Sequence, residues 1–409
     1  MMVIVEEKMK KIENGSIITP KGFQAAGLHS GVKRKRNDLG LIYCENPANA
    51  AAVYTLNVIQ AAPLKITKES LSEAGKIQAL IANSGNANAC TGKQGEQDAR
   101  MMRQVTAEKL NLPEHYVAVA STGIIGLDMP MNKIIPGIKQ LHLEDTDRSA
   151  EDFNESILTT DLCTKSTCYQ AKINGKTVTM AGSAKGSGMI EPNMGTMLAF
   201  ITTDAVIEPP MLDLALKKVT NQTFNCITID GDTSTNDMVL VMTSELAKNE
   251  TLTPEHEDWD VFLELLNKTC EDLSKMIARD GEGATKLIEV EVNGASDNEQ
   301  AGKVAKSVVG SSLVKTAVCG ADANWGRIIA AIGYSDAVIN PDTIDTFIGS
   351  IQLLKDSQPV PFSENEATNY LKEDTVTIVI DLKVGNGTGK AWGCDLTYDY
   401  VRINASYRS

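Results

Sequence analysis

Two different periodicities of apolar residues run along the chain, and together they predict a mixed α/β protein. Between Trp259 and Arg279 apolar residues recur every three or four positions, which predicts an amphipathic helix. The Asp-Gly-Glu-Gly turn at 280–283 is a natural end for that helix. Every second residue of 376–384 is apolar, which predicts a half-buried strand, and residues 287–292 predict another.

A continuous apolar run at 197–201 is typical of a strand that is buried on both faces. We predict that this strand begins at Thr196. The turn at 281–284 separates a region rich in small polar clusters from a more regular α/β tail. The sequence therefore predicts two domains, 1–283 and 284–409.

The composition is that of a globular protein. The chain has 409 residues, of which 42% are hydrophobic and 22% are charged, enough for two or more domains with buried cores. Its formal net charge of −14 argues against nucleic acids and anionic membranes as partners. The short basic run at 33–36 is either a substrate-steering feature or solvated surface.

Neither a targeting segment nor a membrane segment is expected. Residues 1–12 mix charges of both signs and lack the apolar core of a secretory signal, and no stretch approaches about 18 consecutive apolar residues. The eight cysteines are scattered without a CxxC pair, which predicts reduced and mostly buried thiols. These observations together predict a cytoplasmic protein.

The histidines argue against several common chemistries. All four of them, His29, His115, His142 and His256, lie outside the polar, glycine-rich clusters of the sequence. A Ser-His-Asp triad, a Cys-His pair and a histidine-bound zinc are therefore not expected. The glycine-rich run at 385–390 lacks the spacing of a phosphate-binding loop and predicts a turn.

Without a histidine, a hydroxyl nucleophile needs another base near neutral pH. A free α-amino group has an ordinary pKa of roughly 7.7–8.0, and an amino-terminal threonine carries this base and the nucleophile on one residue. To expose such a threonine in mid-chain, the protein must cleave its own backbone. Residues 184–198 supply small glycines for a tight backbone, and Gly195 leaves little bulk before the Thr196 hydroxyl. By composition alone, the same segment also fits a glycine-containing loop that leads into a core strand.

The same segment matches the signature of a protein family. Residues 185–198 read KGSGMIEPNMGTML, which closely resembles the signature of the ornithine acetyltransferases, also called bifunctional glutamate N-acetyltransferases, of arginine biosynthesis. Further blocks resemble that family in the same order along the chain. They lie at 22–27, 83–89, 121–126, 159–161, 230–237, 324–327 and 404–407. The resemblance therefore spans essentially the whole chain.

The resemblance implies a self-processing acyltransferase. The precursor is expected to cleave between Gly195 and Thr196 into an α chain, 1–195, and a β chain, 196–409, which stay together and pair into a heterotetramer. The implied fold is a layered α/β sandwich of the self-processing ornithine acetyltransferase type with a second α/β domain at the carboxy-terminal end. Thr196 becomes the nucleophile after cleavage.

The other site residues also follow from the resemblance. Thr122 and Gly123 match the family's oxyanion-hole positions, and a hydroxyl and a backbone N–H are suitable donors to a developing oxyanion. A lysine suits a substrate carboxylate, whereas a glutamate suits a substrate ammonium group. The implied substrate contacts are Thr159, Lys185, Thr196, Glu282, Asn404 and Ser409.

Two positions depart from the family pattern. Gly195 stands where alanine is usual, and its flexibility could slow cleavage by lowering preorganisation. Ser409 stands where threonine is usual and keeps the hydroxyl. The acidic cluster at 230–237 invites a metal interpretation, yet it lacks the terminal glutamate of a calcium loop. We interpret it as a hydrogen-bonded turn that supports the site, and no metal is expected.

The implied reaction is a two-stage acetyl transfer. The Thr196 hydroxyl attacks the acetyl carbonyl of N-acetylornithine, its own α-amino group takes the proton, and glutamate then accepts the acetyl group from the threonine ester. No cofactor is expected, and bifunctional members also use acetyl-CoA as donor. Two alternatives stay open: a self-processing amidase or aminopeptidase in which water resolves the acyl-enzyme, and an unprocessed relative that acts as a binding protein.

Overall fold

The computed structural model describes residues 9–191 and 197–406. Within these ranges strands and helices alternate along the chain, as the two periodicities predicted. The strands are β1 (Met9–Lys11), β2 (Phe23–Leu28), β3 (Leu39–Tyr54), β4 (Lys76–Asn86), β5 (Val117–Ile124), β6 (Lys165–Ile173), β7 (Lys176–Lys185), β8 (Leu198–Thr203), β9 (Ile227–Thr228), β10 (Met238–Thr243), β11 (Leu287–Ala295), β12 (Asp345–Ile348), β13 (Ile351–Lys355), β14 (Gln358–Pro359), β15 (Thr375–Asp381) and β16 (Gly387–Cys394). The helices are α1 (Ala62–Ala74), α2 (Gly92–Leu110), α3 (Met131–Gln140), α4 (Asp147–Ser156), α5 (Pro209–Gln222), α6 (Trp259–Arg279), α7 (Asn298–Gly310), α8 (Ser312–Cys319), α9 (Trp325–Gly333), α10 (Glu364–Tyr370) and α11 (Tyr398–Ala405), with 3₁₀ turns at Glu114–Tyr116 and Phe224–Cys226.

The described residues divide into two compact units. The first unit holds the described residues within 1–186, 192–224 and 233–273, and the second holds those within 187–191, 225–232 and 274–409. The second unit thus takes in two short segments from earlier in the chain. The division at 283/284 stays a prediction.

The first unit is built on one mixed sheet with helices packed against it. Its described strands follow the order β1-β6-β7-β8-β10-β3-β4-β5, and β2 pairs with β3. Successive residues of β4 enter different apolar cores, because neighbouring side chains of a strand point to opposite faces. Ala79 and Ile81 share one core with residues of α2 and α3, whereas Leu80 and Ala82 share the other with residues of α4. Both faces of the central strands are therefore buried.

The strand predicted after the proposed cleavage point exists, but it begins later. β8 spans Leu198–Thr203, pairs antiparallel with β7 and parallel with β10, and is buried throughout. Met197 precedes the strand, so its predicted start at Thr196 is wrong, and Thr196 itself lies outside the described residues. Thr202 and Thr203 belong to the strand although they are polar, because their buried hydroxyls donate to backbone carbonyl oxygens.

The second unit has its own sheet, whose described strands follow the order β14-β13-β12-β15-β11-β16-β9. Both strands predicted here are present: residues 287–292 lie in β11, and β15 buries every second residue from Val376 to Ile380. β15 ends at Asp381, three residues before the predicted end, since Lys383 adopts a left-handed backbone with φ 55°.

The long helix predicted from the apolar spacing is α6. It ends before the predicted glycine turn, where Gly283 has φ 72°. The run at 385–390 is only partly the predicted turn, because β16 begins at Gly387. The apolar positions of α6 that are fully buried are Phe262, Leu265, Leu266, Cys270, Leu273, Ile277 and Ala278.

Within residues 9–191 and 197–406, every helix is either too short or too polar to span a bilayer. All eight cysteines lie within these ranges, and none of them forms a disulfide. Half of the thiols are buried, those of Cys44, Cys168, Cys270 and Cys394.

Candidate active site

The candidate site of the first unit begins where β4 and β5 end side by side. These two strands are parallel, and Gly85 pairs with Gly123. The two glycines have φ values of 94° and 133°, a region that other residues rarely adopt. A Cβ atom on Gly123 would lie only 2.4 Å from the carbonyl carbon of Gly85. Glycine at position 123 is therefore required for the close approach of the two strand ends.

A buried polar network holds the strand end that bears Thr122. The Ser121 hydroxyl donates to Oδ1 of Asn83 at 2.6 Å, and Nδ2 of Asn236 donates to the carbonyl oxygens of Ser121 and Ala87 at 2.8 and 2.6 Å. Thr122 itself is 8% exposed. Its side chain thus lies on a fixed backbone, with only a small area open to solvent.

Residues 236–238 connect this strand end to the start of β8. Asn236 binds the carbonyl of the residue before Thr122, and the Met238 N–H donates to the Met197 carbonyl at 3.1 Å. Met197 is the residue that follows Thr196 in the sequence. The predicted cleavage pair, Gly195 and Thr196, lies outside the described residues.

Lys185 is the last residue of β7 and pairs with Leu198, the first residue of β8. It is 7% exposed, and its Nζ donates to Oγ1 of Thr122 at 3.3 Å. Two predicted site residues that are 63 positions apart are therefore in direct contact. The contact places a cation beside a proposed oxyanion donor.

Asp161 is a buried carboxylate of this site that accepts three hydrogen bonds. Its Oδ1 accepts from Lys165 Nζ and from the Gly186 N–H, both at 2.7 Å, and its Oδ2 accepts from the Thr159 N–H at 3.0 Å. Burial acts to raise the pKa of Asp161, but the charges of Lys185 and Lys165 outweigh it and hold that pKa well below its usual range. The carboxylate therefore stays ionised and fixes the backbone of the half-buried Thr159.

The basic run at 33–36 divides into two kinds of residue. Lys33 Nζ donates to the Leu158 carbonyl at 3.0 Å, and Arg36 Nη1 donates to the Asp161 carbonyl at 2.9 Å. Burial lowers the pKa of Lys33 to about 8. The interpretation of the run as solvated surface is therefore wrong for Lys33, which is partly buried, whereas the other three residues of the run, including Arg36, are exposed. Lys33 and Arg36 both brace the loop that carries Asp161.

Asp237 is a second deeply buried carboxyl group in the first unit. It is 2% exposed, and its Oδ2 has no hydrogen-bond partner among the described residues. Burial raises the pKa of Asp237 well above its usual value, and the nearby Ser234 and Thr55 hydroxyls and the Lys185 charge offset only part of that effect. Burial therefore favours the protonated form of Asp237, in contrast to Asp161.

The second unit brings two other predicted residues together. Nδ2 of Asn404 donates to Oε2 of Glu282 at 2.7 Å, and the Glu282 N–H donates to the Ser187 carbonyl at 2.8 Å. Glu282 is 7% exposed, and a Cβ atom on Gly188 would lie 2.5 Å from its carboxyl carbon. Ser409 lies outside the described residues.

The acidic cluster at 230–237 serves two separate purposes. Asp230 accepts from the Met189 and Ile190 N–H groups at 2.6 and 2.8 Å in the second unit, whereas Asn236 and Asp237 belong to the first unit. In the described part of the chain, no group of three or more His, Cys, Asp or Glu side chains is arranged to hold a metal ion.

Sequence reasoning missed Asp161, Lys165 and Asp237 as individual residues of the site. Asp161 and Asp237 were visible only as members of the family-like blocks at 159–161 and 230–237. A polar residue inside such a block is the signal that could have marked them. Lys165 carries no such signal, because its role depends on burial beside Asp161.

The mixed α/β fold brings the Thr122 hydroxyl, the Gly123 backbone and the Lys185 ammonium group together, a set of donors that suits the oxyanion of an acyl-transfer enzyme. The chain belongs to the ArgJ family, whose profile matches residues 24–409. It is 65% identical over 400 residues to the arginine biosynthesis bifunctional protein ArgJ of Halalkalibacterium halodurans, covering 98% of this chain and 97% of that protein. The Geobacillus kaustophilus protein of the same name is 62% identical over 398 residues, covering 97% of each.

A solved structure is also similar. The crystal structure of the arginine biosynthesis bifunctional protein ArgJ from Bacillus halodurans is 67% identical, with a TM-score of 0.51, and covers 52% of this chain and 100% of that chain. The predicted family, the mixed α/β fold class and the predicted acyltransferase activity in arginine biosynthesis are thereby confirmed.

Proposed function

We propose that the chain cleaves itself before Thr196 and then uses Thr196 to carry an acetyl group from N-acetylornithine to glutamate. The threonine hydroxyl attacks the acetyl carbonyl while the newly freed α-amino group takes the proton. Ornithine leaves as the amine, and a threonine ester remains. The amino group of glutamate then attacks this ester, which forms N-acetylglutamate and restores the threonine.

The observation that carries this proposal is the link made by residues 236–238. They bind the strand end that bears Thr122 through Asn236, and the residue that follows Thr196 through Met238. One short segment thus holds both the strand end that bears Thr122 and the residue that follows Thr196. Such preorganisation favours both the scission and the later acyl transfer.

The Thr122 hydroxyl and the Gly123 N–H are proposed to hold the oxyanion. Lys185 and Thr159 are proposed to contact the substrate carboxylate end, because a lysine ammonium group is a compact positive charge with three donors. Loss of one oxyanion donor typically costs on the order of 10²–10³ in rate.

In the second unit, the hydrogen-bonded pair Glu282 and Asn404 is proposed to bind a substrate ammonium group. Ser409 is proposed as a further contact by the family resemblance. Because Asn404 donates to Glu282, the carboxylate is held in one orientation while its other oxygen can accept from a ligand.

The length of the matched crystal chain supports cleavage at this point. The proposed β chain, 196–409, has 214 residues, which is 52% of the sequence. The Bacillus halodurans ArgJ chain matches 52% of this sequence over its own whole length. Scission near residue 195 would produce a chain of this length.

The relatives carry the word bifunctional in their names, and we therefore propose acetyl-CoA as a second acetyl donor. No cofactor is needed for the threonine ester mechanism as proposed. The two processed chains are proposed to remain together and to pair into a heterotetramer. A cytoplasmic location stays a prediction.

Intact mass and an acetyl-transfer assay test the proposal together. The purified protein should give two masses, for 1–195 and 196–409, and should form N-acetylglutamate from N-acetylornithine and glutamate. Thr196→Ala should stay one chain and be inactive. A single chain with full activity would contradict the proposal, and acetate release without transfer to glutamate would favour an amidase.

A further inference from the structure

A buried charge network lies beneath the proposed oxyanion hole. Asp161 is 1% exposed, and its ion pair with Lys165 at 2.7 Å has both side chains fully buried. The same carboxylate binds the N–H of Gly186, the residue that follows Lys185. The ammonium group of Lys185 in turn donates to the Thr122 hydroxyl oxygen.

We propose that Asp161 is a positioning residue for acyl transfer, which holds Lys185 so that Lys185 donates to Oγ1 of Thr122 and leaves the Thr122 proton to point at the oxyanion. This inference rests on the function proposed above, in which Thr122 is an oxyanion donor. It assigns Lys185 a second role besides contact with the substrate carboxylate.

We call the series of contacts from Asp161 through Lys185 to Thr122 the relay. The chemistry of the ammonium and hydroxyl groups fixes the direction of the hydrogen bond between Lys185 and Thr122. An ammonium group has three donors and no acceptor, so Thr122 must accept from Lys185. A hydroxyl has a single proton, and the Thr122 proton is therefore not used in the contact with Lys185. A charged donor also polarises the hydroxyl that accepts from it, which makes that hydroxyl a stronger donor to the next acceptor.

The surroundings explain why Asp161 can position Lys185. The lysine stem is long and flexible, whereas Asp161 fixes the Gly186 backbone N–H directly and attracts the Lys185 charge. The loop of Asp161 is itself braced, because Arg36 donates to the Asp161 carbonyl at 2.9 Å. The relay thus runs from the loop that Arg36 braces, through the Asp161 carboxylate and Lys185, to the Thr122 hydroxyl.

A double-mutant cycle between Asp161 and Thr122 tests the relay. We expect Asp161→Asn to lower kcat for acetyl transfer about 10²-fold, since a misplaced group can cost about that much, and to raise KM as well because Lys185 and Thr159 are proposed substrate contacts. Thr122→Ala should lower kcat by about 10²–10³-fold. If Asp161 acts through Thr122, the double variant should be about as active as Thr122→Ala alone.

Three results would overturn the inference: multiplicative losses in the double variant, an unchanged kcat in Asp161→Asn, or a change confined to KM. All rates are taken per cleaved chain, measured by intact mass. An inactive or uncleaved wild-type protein would instead contradict the proposed function, so the two failures can be told apart.

Two further variants separate positioning from folding. Asp161→Asn combined with Lys165→Met removes both buried charges, and we expect it to regain wild-type thermal stability while kcat stays low. Asp204→Asn is the matched control. Asp204 is also fully buried and accepts from a backbone N–H, that of Thr179 at 2.8 Å, but it lies at the end of the β7–β8 pair opposite to Lys185. The control variant Asp204→Asn should keep wild-type kcat. Recovery of kcat by the double variant Asp161→Asn, Lys165→Met would contradict the relay.

Discussion

Asp161 and Asp237 are both buried carboxyl groups of the first unit, and both experience the charge of Lys185, yet their pKa values are shifted in opposite directions. Asp161 accepts from Lys165 and from two backbone N–H groups. Oδ2 of Asp237 has no hydrogen-bond partner among the described residues. The pKa of Asp161 lies below its usual range, whereas that of Asp237 lies above it.

The difference shows that burial alone does not decide the charge of a carboxyl group. Burial raises the pKa of both groups, and for Asp161 the charges of two lysines, Lys185 and Lys165, reverse the result. The ionised Asp161 can therefore hold cations in place, whereas burial favours the protonated form of Asp237. The two carboxyl groups of the first unit thus have pKa values shifted in opposite directions.

The largest expected effect is on folding stability after truncation of each group. Asp161→Ala leaves the buried Lys165 ammonium without its carboxylate, and we expect a loss of about 3–5 kcal/mol in the free energy of unfolding. Asp237→Ala removes a carboxyl group in which burial favours the protonated form, and it should cost about 2 kcal/mol or less. Urea unfolding of the purified variants measures both. A larger loss for Asp237→Ala would remove the contrast between the two carboxyl groups.

The second effect is the pH dependence of the Asp161 contribution. The pKa of Asp161 in the folded protein lies below its usual value of about 3.9. The ionised carboxylate therefore stabilises the folded protein above that pH, and this stabilisation is lost as the pH falls below it. The stability gap between wild type and Asp161→Asn should therefore shrink from about pH 5 downwards. Thermal melts over that range measure the gap, and a constant gap would mean that Asp161 is not held ionised.

Asp237 should show the opposite slope. Its folded pKa is raised, so the unfolded chain releases a proton above about pH 4 that the folded protein retains, and wild-type stability falls as the pH rises. Asp237→Asn lacks this penalty and should become more stable relative to wild type as the pH rises above about 4. The same melts measure this change, and a variant that becomes less stable relative to wild type with rising pH would contradict the raised pKa of Asp237.

Lys33 gives the smallest expected effect, because it is only half-buried. Burial lowers its pKa to about 8 from 10.5, so the folded protein is penalised while the lysine is charged. Wild type should gain stability relative to Lys33→Met as the pH rises from about 8 to about 10.5. Asn37→Ala, a neighbouring change without a titrating group, is the control and should leave the slope unchanged.

The sequence predicted those features that depend on local periodicity. Helix α6 and strands β11 and β15 follow from apolar spacing, and the glycine turn after α6 follows from backbone preference. The start of β8 was misplaced by two residues, since a continuous apolar run carries no marker of where pairing begins.

The site was harder to predict because its contacts join distant parts of the chain. Arg36 and Asp161 are 125 positions apart, and no local pattern indicates that a basic run will brace a loop so far away. Asp161 and Lys165 are four positions apart, yet they do not share a helix, so the spacing alone gave no reason to pair them. The family resemblance implied roles for Thr122, Gly123, Lys185 and Glu282, but it gave no role to Asp161, whose carboxylate lies beside Lys185 and Lys165.

The central claim is that Thr196 carries the acetyl group after the chain has been cut before it. The most direct test is to mix the purified protein with N-acetylornithine without glutamate and to map the acetylated residue by peptide mass spectrometry. The account predicts one acetyl group on the 196–409 chain, at its first residue, which disappears when glutamate is added. An acetyl group on any other residue, or rapid transfer by a chain that is still intact at Gly195, would contradict it.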